Sequence, residues 1–376
     1  MAAVSKPTTR PGNLRRRRFT SNLIVNGTLL LLCFVWTVPT IGLLVSSFRT
    51  RDDIATSGWW SVLPHREWVQ VAEEAIPTDL DRNGPMTIAG ATATFEEFRQ
   101  GVTAPDGRKL VWVGNRRTGK MQVQEQRWDT KADFNLNNYQ NVLTGKEYEV
   151  VSPDGSKRIE QGDNMSGAFL NSLVITIPAT LIPILLAAFA AYGFAWMRFK
   201  GRKILFSMVV ALLVVPLQVA LIPILRDYNS LGINGTFLAV WLAHTGFGLP
   251  LATYLLYNYI SQLPRDILES AFIDGASPFT IFIRLVLPLS VPALASFAIF
   301  QFLWVWNDYL VALIFLGGEK QSQVLTMRLA EIVGSRGQDW HLLTAGAFIT
   351  MLLPLIVFFS LQRFFVRGLM AGSVKG

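Results

Sequence analysis

The apolar residues of this chain are gathered into six long stretches with polar segments between them. The stretches cover approximately residues 22–47, 167–196, 204–225, 236–259, 291–316 and 341–365. Because a helix needs about 20 apolar residues to cross a hydrocarbon layer about 30 Å thick, the pattern predicts six transmembrane helices. Each stretch contains or directly follows a proline, which we interpret as a kink whose freed carbonyls neighbouring helices can satisfy. The predicted fold class is an all-α polytopic membrane protein.

The largest polar part of the chain is the segment 48–166. Residues 49–165 carry 15 Lys or Arg and 18 Asp or Glu. Turn signals occur at Asn83–Pro85, Pro105–Gly107 and Pro153–Gly155. Apolar and polar residues alternate over Leu110–Val113 and Met121–Gln126, on either side of a turn, which predicts a β-hairpin. We therefore predict a small, partly β insert domain between spans 1 and 2.

Basic residues beside the apolar stretches determine the predicted orientation. Three short segments are rich in them: an amino-terminal arm (Lys6, Arg10, Arg15–Arg18), the loop after span 2 (Arg198, Lys200, Arg202, Lys203) and the tail (Arg363, Arg367, Lys375). All three lie on one side if six spans alternate, and the positive-inside rule assigns that side to the cytoplasm. The arm 1–21, the loop 260–290 and the tail 366–376 are then cytoplasmic, and the insert 48–166 is extracytoplasmic.

Composition supports a membrane protein. An apolar share of 51% with only 16% charged residues is more than one soluble core can bury. The formal charge of +8 does not indicate nucleic acid, because the basic residues cluster beside the spans without interleaved aromatics, as suits a membrane surface. Cys33 is the single cysteine, which excludes an internal disulfide and a cysteine zinc site, and no metal site is predicted.

The amino-terminal region contains two candidate processing signals, either of which would change how the first span is interpreted. Arg17 and Arg18 before Phe19 are similar to a twin-arginine leader, and Leu30–Cys33 is similar to a lipoprotein box. The apolar stretch is longer than a typical signal core and has no A-x-A cleavage site, and Leu32 is too large for the position before a lipidated cysteine. We predict an uncleaved first span.

The segment Gly114–Met121 nearly matches the phosphate-loop pattern G-x-x-x-x-G-K-[ST]. Met121 cannot supply the hydroxyl that binds magnesium, and the residues after it have the pattern of a strand, whereas a phosphate loop opens a helix. The predicted location outside the cell also lacks nucleotide. We interpret the match as coincidence, so the chain is predicted to have no ATPase site of its own and no catalytic residues.

The segment Leu263–Leu289 predicts two short helices joined by a tight corner. Pro264 and Asp266 suit a first helical turn, and Gly275 can adopt the left-handed conformation that ends a helix. Ser277 is then expected to cap a second helix, with Pro278 at its first position and Pro288 at its end. Leu268, Ala271 and Phe272 share one face, which gives an amphipathic helix. By itself this pattern predicts only a connector at the membrane interface.

Motifs within this segment resemble a known family. Glu269-Ser270-Ala271, then Asp274-Gly275-Ala276 and Leu287-Pro288, resemble the E-A-A…G loop of binding-protein-dependent ABC importer permeases. Ser270 departs from the usual alanine by a change between small residues. The resemblance implies a coupling helix that docks on an ATPase subunit, and the implied coupling residues are Glu269, Ala271, Asp274, Gly275 and Ala276. It also implies that spans 2–6, residues 167–365, form the permease core.

Further motifs are similar to the carbohydrate branch, in particular the second permease subunit of maltose-type transporters. They are Phe134–Tyr139, Phe169–Ser172, Ala191–Gly193, Phe199–Lys203 and Val366–Gly376. The resemblance implies a sugar importer of the bacterial inner membrane and a tail that contacts the ATPase through Gly372, Val374, Lys375 and Gly376. It also implies a second permease subunit, two ATPase subunits that carry ATP and magnesium, and an external binding protein, with no cofactor on this chain. The long insert departs from most such subunits and is similar to that of α-glucoside permeases.

Asn307 and Asp308 interrupt the fifth stretch. A charge at mid-membrane costs at least about 2.5–3.5 kcal/mol, so Asp308 should face protein or water. With Trp304 they are candidate substrate-path residues, because sugars are bound by polar groups and by aromatic ring faces such as those of Trp304, Trp306 or Trp241. The alternative is that Asp308 pairs with Arg226 or His244 while the tryptophans are interfacial anchors. A third interpretation makes Asp308 a proton carrier.

Two other functional classes compete with an importer subunit. A proton-coupled secondary carrier would explain Asp308 and the proline-broken helices, but it predicts corresponding interrupted helices in two inverted halves, which the sequence does not show. A membrane-anchored binding or sensory protein built on the insert needs one anchoring span and leaves five unexplained.

Overall fold

The computed structural model describes residues 11–76, 84–145, 147–151, 157–161, 164–336 and 339–371. Within these ranges the chain forms a β-containing part and a larger helical part. It divides into two compact units, Met1–Asn135 and Leu136–Gly376. Of the predicted features, Lys6, Arg10, the turn 153–155 and the tail residues Gly372, Val374, Lys375 and Gly376 lie outside the described residues.

The first unit begins with a long apolar helix and continues as a small α+β fold. Its helices are α1 (Pro11–Ser47), α2 (Arg51–Thr56) and α3 (Phe95–Gln100), and a 3-10 turn covers Trp59–Val62. Its strands are β1 (His65–Ala75), β2 (Met86–Ile88), β3 (Ala91–Ala93), β4 (Val102–Thr103), β5 (Lys109–Val113) and β6 (Lys120–Asp129). The described strands form an antiparallel sheet in the order β1-β6-β5-β4 and a separate β2-β3 pair.

The predicted hairpin is confirmed. β5 and β6 pair antiparallel, and Val113 lies opposite Lys120. Alternate residues point into the core: Leu110, Trp112, Met121 and Val123 are at most 3% exposed. The phosphate-loop-like residues therefore form the turn of a hairpin, and no helix follows them. Strand β1 was not predicted and pairs along the other edge of β6.

The second unit is helical apart from a short hairpin. Its helices are α4 (Asn137–Thr144), α5 (Ser166–Trp196), α6 (Arg202–Ala211), α7 (Leu217–Ser230), α8 (Phe237–Ile260), α9 (Arg265–Ile273), α10 (Pro278–Ile281), α11 (Leu287–Leu289), α12 (Val291–Trp306), α13 (Leu310–Leu316), α14 (Leu325–Arg336) and α15 (Trp340–Ala371). A π-helical turn covers Phe282–Val286, and β7 (Glu147–Val151) pairs with β8 (Lys157–Gln161).

Helices α5 and α8 form the centre of the second unit. Ala187, Ala188 and Ala191 of α5 are fully buried against Ala252 and Leu256 of α8. Small side chains let two helix backbones approach closely, which is how helices associate when lipid surrounds them. The same cluster includes Leu268 and Ile281 of the connecting segment α9–α11, which therefore packs on this helix pair.

The span prediction is confirmed for four stretches and corrected for two. Among the described residues, Phe19–Ser47, Ser166–Trp196, Phe237–Ile260 and Trp340–Phe364 are long and apolar enough to cross a membrane. The third stretch is not one continuous helix, because it bends by 105° between Val214 and Leu217, where Val215 and Pro216 leave helical geometry. The fifth is also broken: α12 ends at Trp306, α13 begins at Leu310, and Pro278–Leu289 meets α12 at a 73° bend. The count reaches six only if each bent pair makes one crossing.

The boundary between the two units falls inside the predicted insert. Residues of α4 pack in the second unit, where Val142 is 2% exposed in a cluster with Met165, Ala168 and Trp306. The backbone N–H of Met165 also donates to the carbonyl of Val142, at 2.9 Å. The end of the 48–166 segment is therefore part of the helical unit.

Candidate functional site

The corner at Gly275 is built by backbone hydrogen bonds. The N–H of Ala276 donates to the carbonyl of Ala271, and the N–H of Gly275 donates to the carbonyl of Phe272, both at 3.1 Å. Gly275 has φ +77°, a conformation that costs little for glycine and strains residues with a side chain. This arrangement is the Schellman ending of a helix, and it confirms the predicted corner.

The second helix begins as the sequence predicts. Ser277 Oγ accepts a hydrogen bond from the N–H of Thr280 at 3.2 Å, and Pro278 occupies the first position of α10. The chain then passes through the π-helical turn, and α11 ends one residue after Pro288. Ser290, fully buried, occupies the 73° bend into α12. A π-helical turn and a bend together are typical of a point where a helix can change direction.

Leu268 anchors the corner to the transmembrane helices. It is fully buried in a cluster with Tyr192 of α5 and with Leu256 and Ile260 of α8. The predicted coupling residues Ala271 and Ala276 pack partly against this cluster, whereas Glu269, Asp274 and Gly275 are exposed.

Phe272 was predicted to share one helix face with Leu268 and Ala271, but it does not share their packing. It is 41% exposed, and the cluster that buries Leu268 does not include it. Ile273 and Phe279, on either side of the glycine, are 85% and 64% exposed. The corner therefore presents apolar side chains outward beside two acidic residues, a combination typical of a surface that binds another protein.

A cavity of about 490 Å³ lies between α7, α8 and α12. This volume is within the range of small-molecule sites, about 300–1,000 Å³. The wall is mainly apolar and includes the rings of Tyr228, Phe247, Phe300 and Trp304, with the polar side chain of Gln301 among them. Aromatic rings with few polar groups can bind the C–H faces and the hydroxyls of a sugar ring.

Gln301 is a polar residue that the sequence analysis did not single out. It is fully buried, and its Nε2 donates to the carbonyls of Ala179 and His244 at 3.1 and 3.4 Å. Its Oε1 has no hydrogen-bond partner. Gly248 makes room for it, since a Cβ there would lie 2.7 Å from Oε1. An amide inside an apolar span was the signal that could have found it.

Asp308 lies in the break between α12 and α13. Its Oδ2 accepts a hydrogen bond from the N–H of Ala312 at 3.0 Å and lies 3.7 Å from Nε2 of His244 on α8. The two side chains are 12% and 1% exposed. His244, one of the two predicted partners on neighbouring spans, therefore lies within ion-pair distance of Asp308. Arg226, the other predicted partner, is exposed.

The remaining path candidates differ in position. Trp304 lines the cavity and meets the His244 ring edge to face, with centroids 5.1 Å apart. Trp306 is buried and donates to the carbonyl of Thr350, whereas Asn307 is exposed. Trp241 donates to the carbonyl of Val174. The structure therefore brings Trp304 and Asp308 together around His244, and it leaves Asn307 outside this group.

No group of three or more potential metal ligands occurs among the residues described.

The sequence matches one protein family and two permease proteins over nearly their full length. Residues 183–370 match the family described as "Binding-protein-dependent transport system inner membrane component". The α-glucoside transport system permease protein AglG of Rhizobium meliloti is 47% identical over 395 aligned positions, covering 96% of this chain and 99% of that protein. The osmoprotective compounds uptake permease protein GgtD of Synechocystis is 45% identical and covers 99% of both chains.

One solved structure has a similar fold over most of the chain. It is the crystal structure of a bacterial ABC transporter involved in the import of the acidic polysaccharide alginate. The match has a TM-score of 0.55 and 14% identity and covers 95% of this chain and 99% of that one. At this identity the similarity concerns the fold alone.

Proposed function

This chain belongs to the family of inner-membrane components of binding-protein-dependent transport systems, and on that premise we propose that it is the permease subunit of an ATP-driven importer of an α-glucoside. The 47% identity to an α-glucoside permease over nearly the full length of both chains carries the proposal. In this family of ABC transporters the ATPase activity lies in separate subunits, so this chain acts as a transporter subunit and not as an enzyme.

The coupling mechanism begins at the exposed corner. Closure of the ATPase subunits on ATP pushes against the surface formed by Ile273, Phe279 and the acidic Glu269 and Asp274. Because Leu268 is locked into the cluster of α5 and α8, displacement of the corner moves these helices with it. The π-helical turn and the bend at Ser290 pass the same movement to α12, which forms part of the cavity wall. This movement changes the side of the membrane to which the cavity opens, which gives alternating access.

The substrate path runs through the cavity between α7, α8 and α12. Trp304 and Tyr228 supply ring faces, and Gln301 supplies an amide. Asp308 acts indirectly: by pairing with His244 and capping α13 it fixes the position of the ring against which Trp304 packs. Asn307 is exposed, and its contribution depends on the partner subunit that faces it.

The assembly consists of this chain, a second permease subunit, two ATPase subunits and an extracytoplasmic sugar-binding protein. The amino terminus and the corner lie in the cytoplasm, each bent helix pair makes one crossing, and the insert lies outside the inner membrane. There the insert contacts the binding protein or the partner permease. The tail residues Gly372, Val374, Lys375 and Gly376 contact the ATPase.

A second substrate class follows from the other full-length relative. A permease for osmoprotective compounds is 45% identical to this chain, so uptake of such a compound is the competing function. The test is to purify the complete importer with its binding protein and to measure stimulation of ATP hydrolysis by a panel of α-glucosides and osmoprotective compounds. Stimulation by an α-glucoside alone supports the proposal, and stimulation by the osmoprotective compounds alone contradicts it.

The coupling role is tested by Glu269→Lys, which reverses a charge on the exposed side of α9. We expect loss of substrate-stimulated ATP hydrolysis while the binding protein still docks, because docking occurs on the opposite side of the membrane. Wild-type transport in this variant would rule out the assigned role.

A further inference from the structure

The start of α6 contains two adjoining clefts. The first, of about 590 Å³, is lined by Arg198, Phe199, Gly201, Arg202, Lys203 and Ile204. The second, of about 380 Å³, is lined by Lys203, Ile204, Ser207, Met208 and Ala211. Because Lys203 and Ile204 line both, the clefts form one continuous surface that is basic at one end and apolar at the other. We call it the α6 groove.

The local fold explains why this side of α6 is open. Phe206 packs on the inner side, where its ring centroid lies 4.2 Å from that of Tyr257 and 5.5 Å from that of Phe194. Residues spaced by three and four positions share a helix face, and positions 204, 207, 208 and 211 form such a face. Ile204 and Met208 are 63% and 59% exposed. Ser207 and Ala211 are small, so the exposed face is grooved.

The basic end carries an uncompensated positive charge. Its lining includes Arg198, Arg202 and Lys203, Lys200 is an exposed residue of the same loop, and the sequence has no acid between Asp163 and Asp227. Within the described part of the chain, none of these four cations has a carboxylate within 4.0 Å. The guanidinium of Arg202 donates to the carbonyl of Met197 at 3.0 Å, which fixes its direction beside the cleft.

We propose that the α6 groove binds one anionic phospholipid, with the phosphate among Arg198, Arg202 and Lys203, in the field of the neighbouring Lys200, and an acyl chain along Ile204, Ser207, Met208 and Ala211. Cations attract anionic headgroups near the membrane surface. The apolar part of the groove runs from Ile204 to Ala211, a rise of about 10 Å along the helix. This length matches the upper part of an acyl chain in half of a hydrocarbon layer about 30 Å thick. A soluble phosphate would use the basic cleft but would leave the apolar groove empty, so the continuous surface favours a lipid.

The test is native mass spectrometry of the chain in its full assembly, extracted from vesicles that contain equal amounts of phosphatidylglycerol and phosphatidylethanolamine. We expect wild type to retain phosphatidylglycerol preferentially. The triple variant Arg198→Gln/Lys200→Gln/Lys203→Gln, which spares the hydrogen-bonded Arg202, should retain it about a hundredfold less, since each surface cation contributes about fivefold. The control Arg116→Gln/Arg117→Gln/Lys120→Gln removes the same charge from the β5–β6 hairpin and should retain the lipid normally.

A second variant separates the lipid from other occupants. Ser207→Phe keeps every cation and fills the groove, so it should lose the lipid while the assembly still forms. Inorganic phosphate added in excess should not displace the lipid from wild type. Equal retention of both lipids by wild type, full retention in the triple variant, or displacement by phosphate would overturn the proposal. So would cross-linking of Met208→Cys to the second permease subunit, because protein would then occupy the groove.

Discussion

The part of the insert that lies in the first unit, residues 48–135, and the helical unit bury apolar side chains in opposite ways. In the insert the apolar side chains of the β5–β6 hairpin point inward, and charges such as Asp106 and Arg108 pair at the surface, at 2.6 Å. In the helical unit Leu181, Leu185 and Phe189 of α5 are each more than half exposed. The insert is therefore stabilised by its own core in water, whereas the helical unit needs lipid or partner subunits around it. Because each part has its own source of stability, a substitution that damages the fold of one should leave the fold of the other intact.

The largest effect is expected when the same type of substitution, glycine to proline, is made in each of the two parts. Gly275→Pro should abolish coupling, because proline fixes φ near about −65° and removes the N–H that bonds to Phe272. A backbone cost of about 3 kcal/mol corresponds to about a hundredfold loss of the competent corner. Gly107→Pro is the matched control, since Gly107 also has positive φ, at +84°, and donates a turn hydrogen bond, to Ala104. Substrate-stimulated ATP hydrolysis should be lost in the first variant and retained in the second, and equal loss in both would break the comparison.

The converse test damages the core of the insert. Phe98 is fully buried, so Phe98→Ala should destabilise the insert by about 3–5 kcal/mol. Hydrogen exchange in the assembled importer should speed up across β5 and β6 but not across α5 and α8. A parallel rise in exchange across α5 would show that the two units unfold together.

A smaller effect is expected at the break between α12 and α13. Asp308→Ala removes the acceptor for the N–H of Ala312 and the partner of His244, and it should cost about 1–3 kcal/mol. Asp308→Asn keeps an oxygen acceptor and should cost less. Thermal unfolding of the solubilised importer measures both. An equal loss of stability in the two variants would show that the charge, and not the cap, is the important feature.

The smallest effect concerns pH and the insert. The N–H and the hydroxyl of Thr94 donate to Glu97 at 2.7 and 2.9 Å and hold the pKa of that carboxyl below its ordinary value. A lowered pKa in the folded state means that this contribution is present above the ordinary glutamate pKa and is lost as the pH falls through the folded-state value. Glu97→Gln should flatten the acid side of the insert's stability profile slightly. Hydrogen exchange at α3 measures this dependence of stability on pH. A dependence that is the same in Glu97→Gln and in wild type would contradict this role.

Local patterns predicted the features that depend on local physics. Alternation predicted the β5–β6 hairpin, and the residues Gly275, Ser277 and Pro278 predicted a corner that the backbone confirms. Each of these signals acts between residues a few positions apart.

Features that depend on distant contacts were missed or misjudged. The break at Pro216 was interpreted as a kink, because apolar length does not distinguish a kink from a 105° bend. Gln301 bonds to Ala179, which is 122 positions away, and β1 pairs with β6 over separations as large as that between His65 and Asp129. Such partners are determined by tertiary packing, and a single sequence contains no local sign of them.

The central claim, that the corner at Gly275 binds a separate ATPase subunit, has a direct test. Replacing Cys33 by serine removes the chain's single cysteine, after which Ile273→Cys places a thiol at a side chain that is 85% exposed. In native membranes we expect this thiol to cross-link to the ATPase subunit with a yield that changes on addition of ATP, and we expect Val113→Cys in the insert to give no such product. Capture of the ATPase by the insert cysteine, or its absence at Ile273→Cys in an assembled importer, would contradict the account.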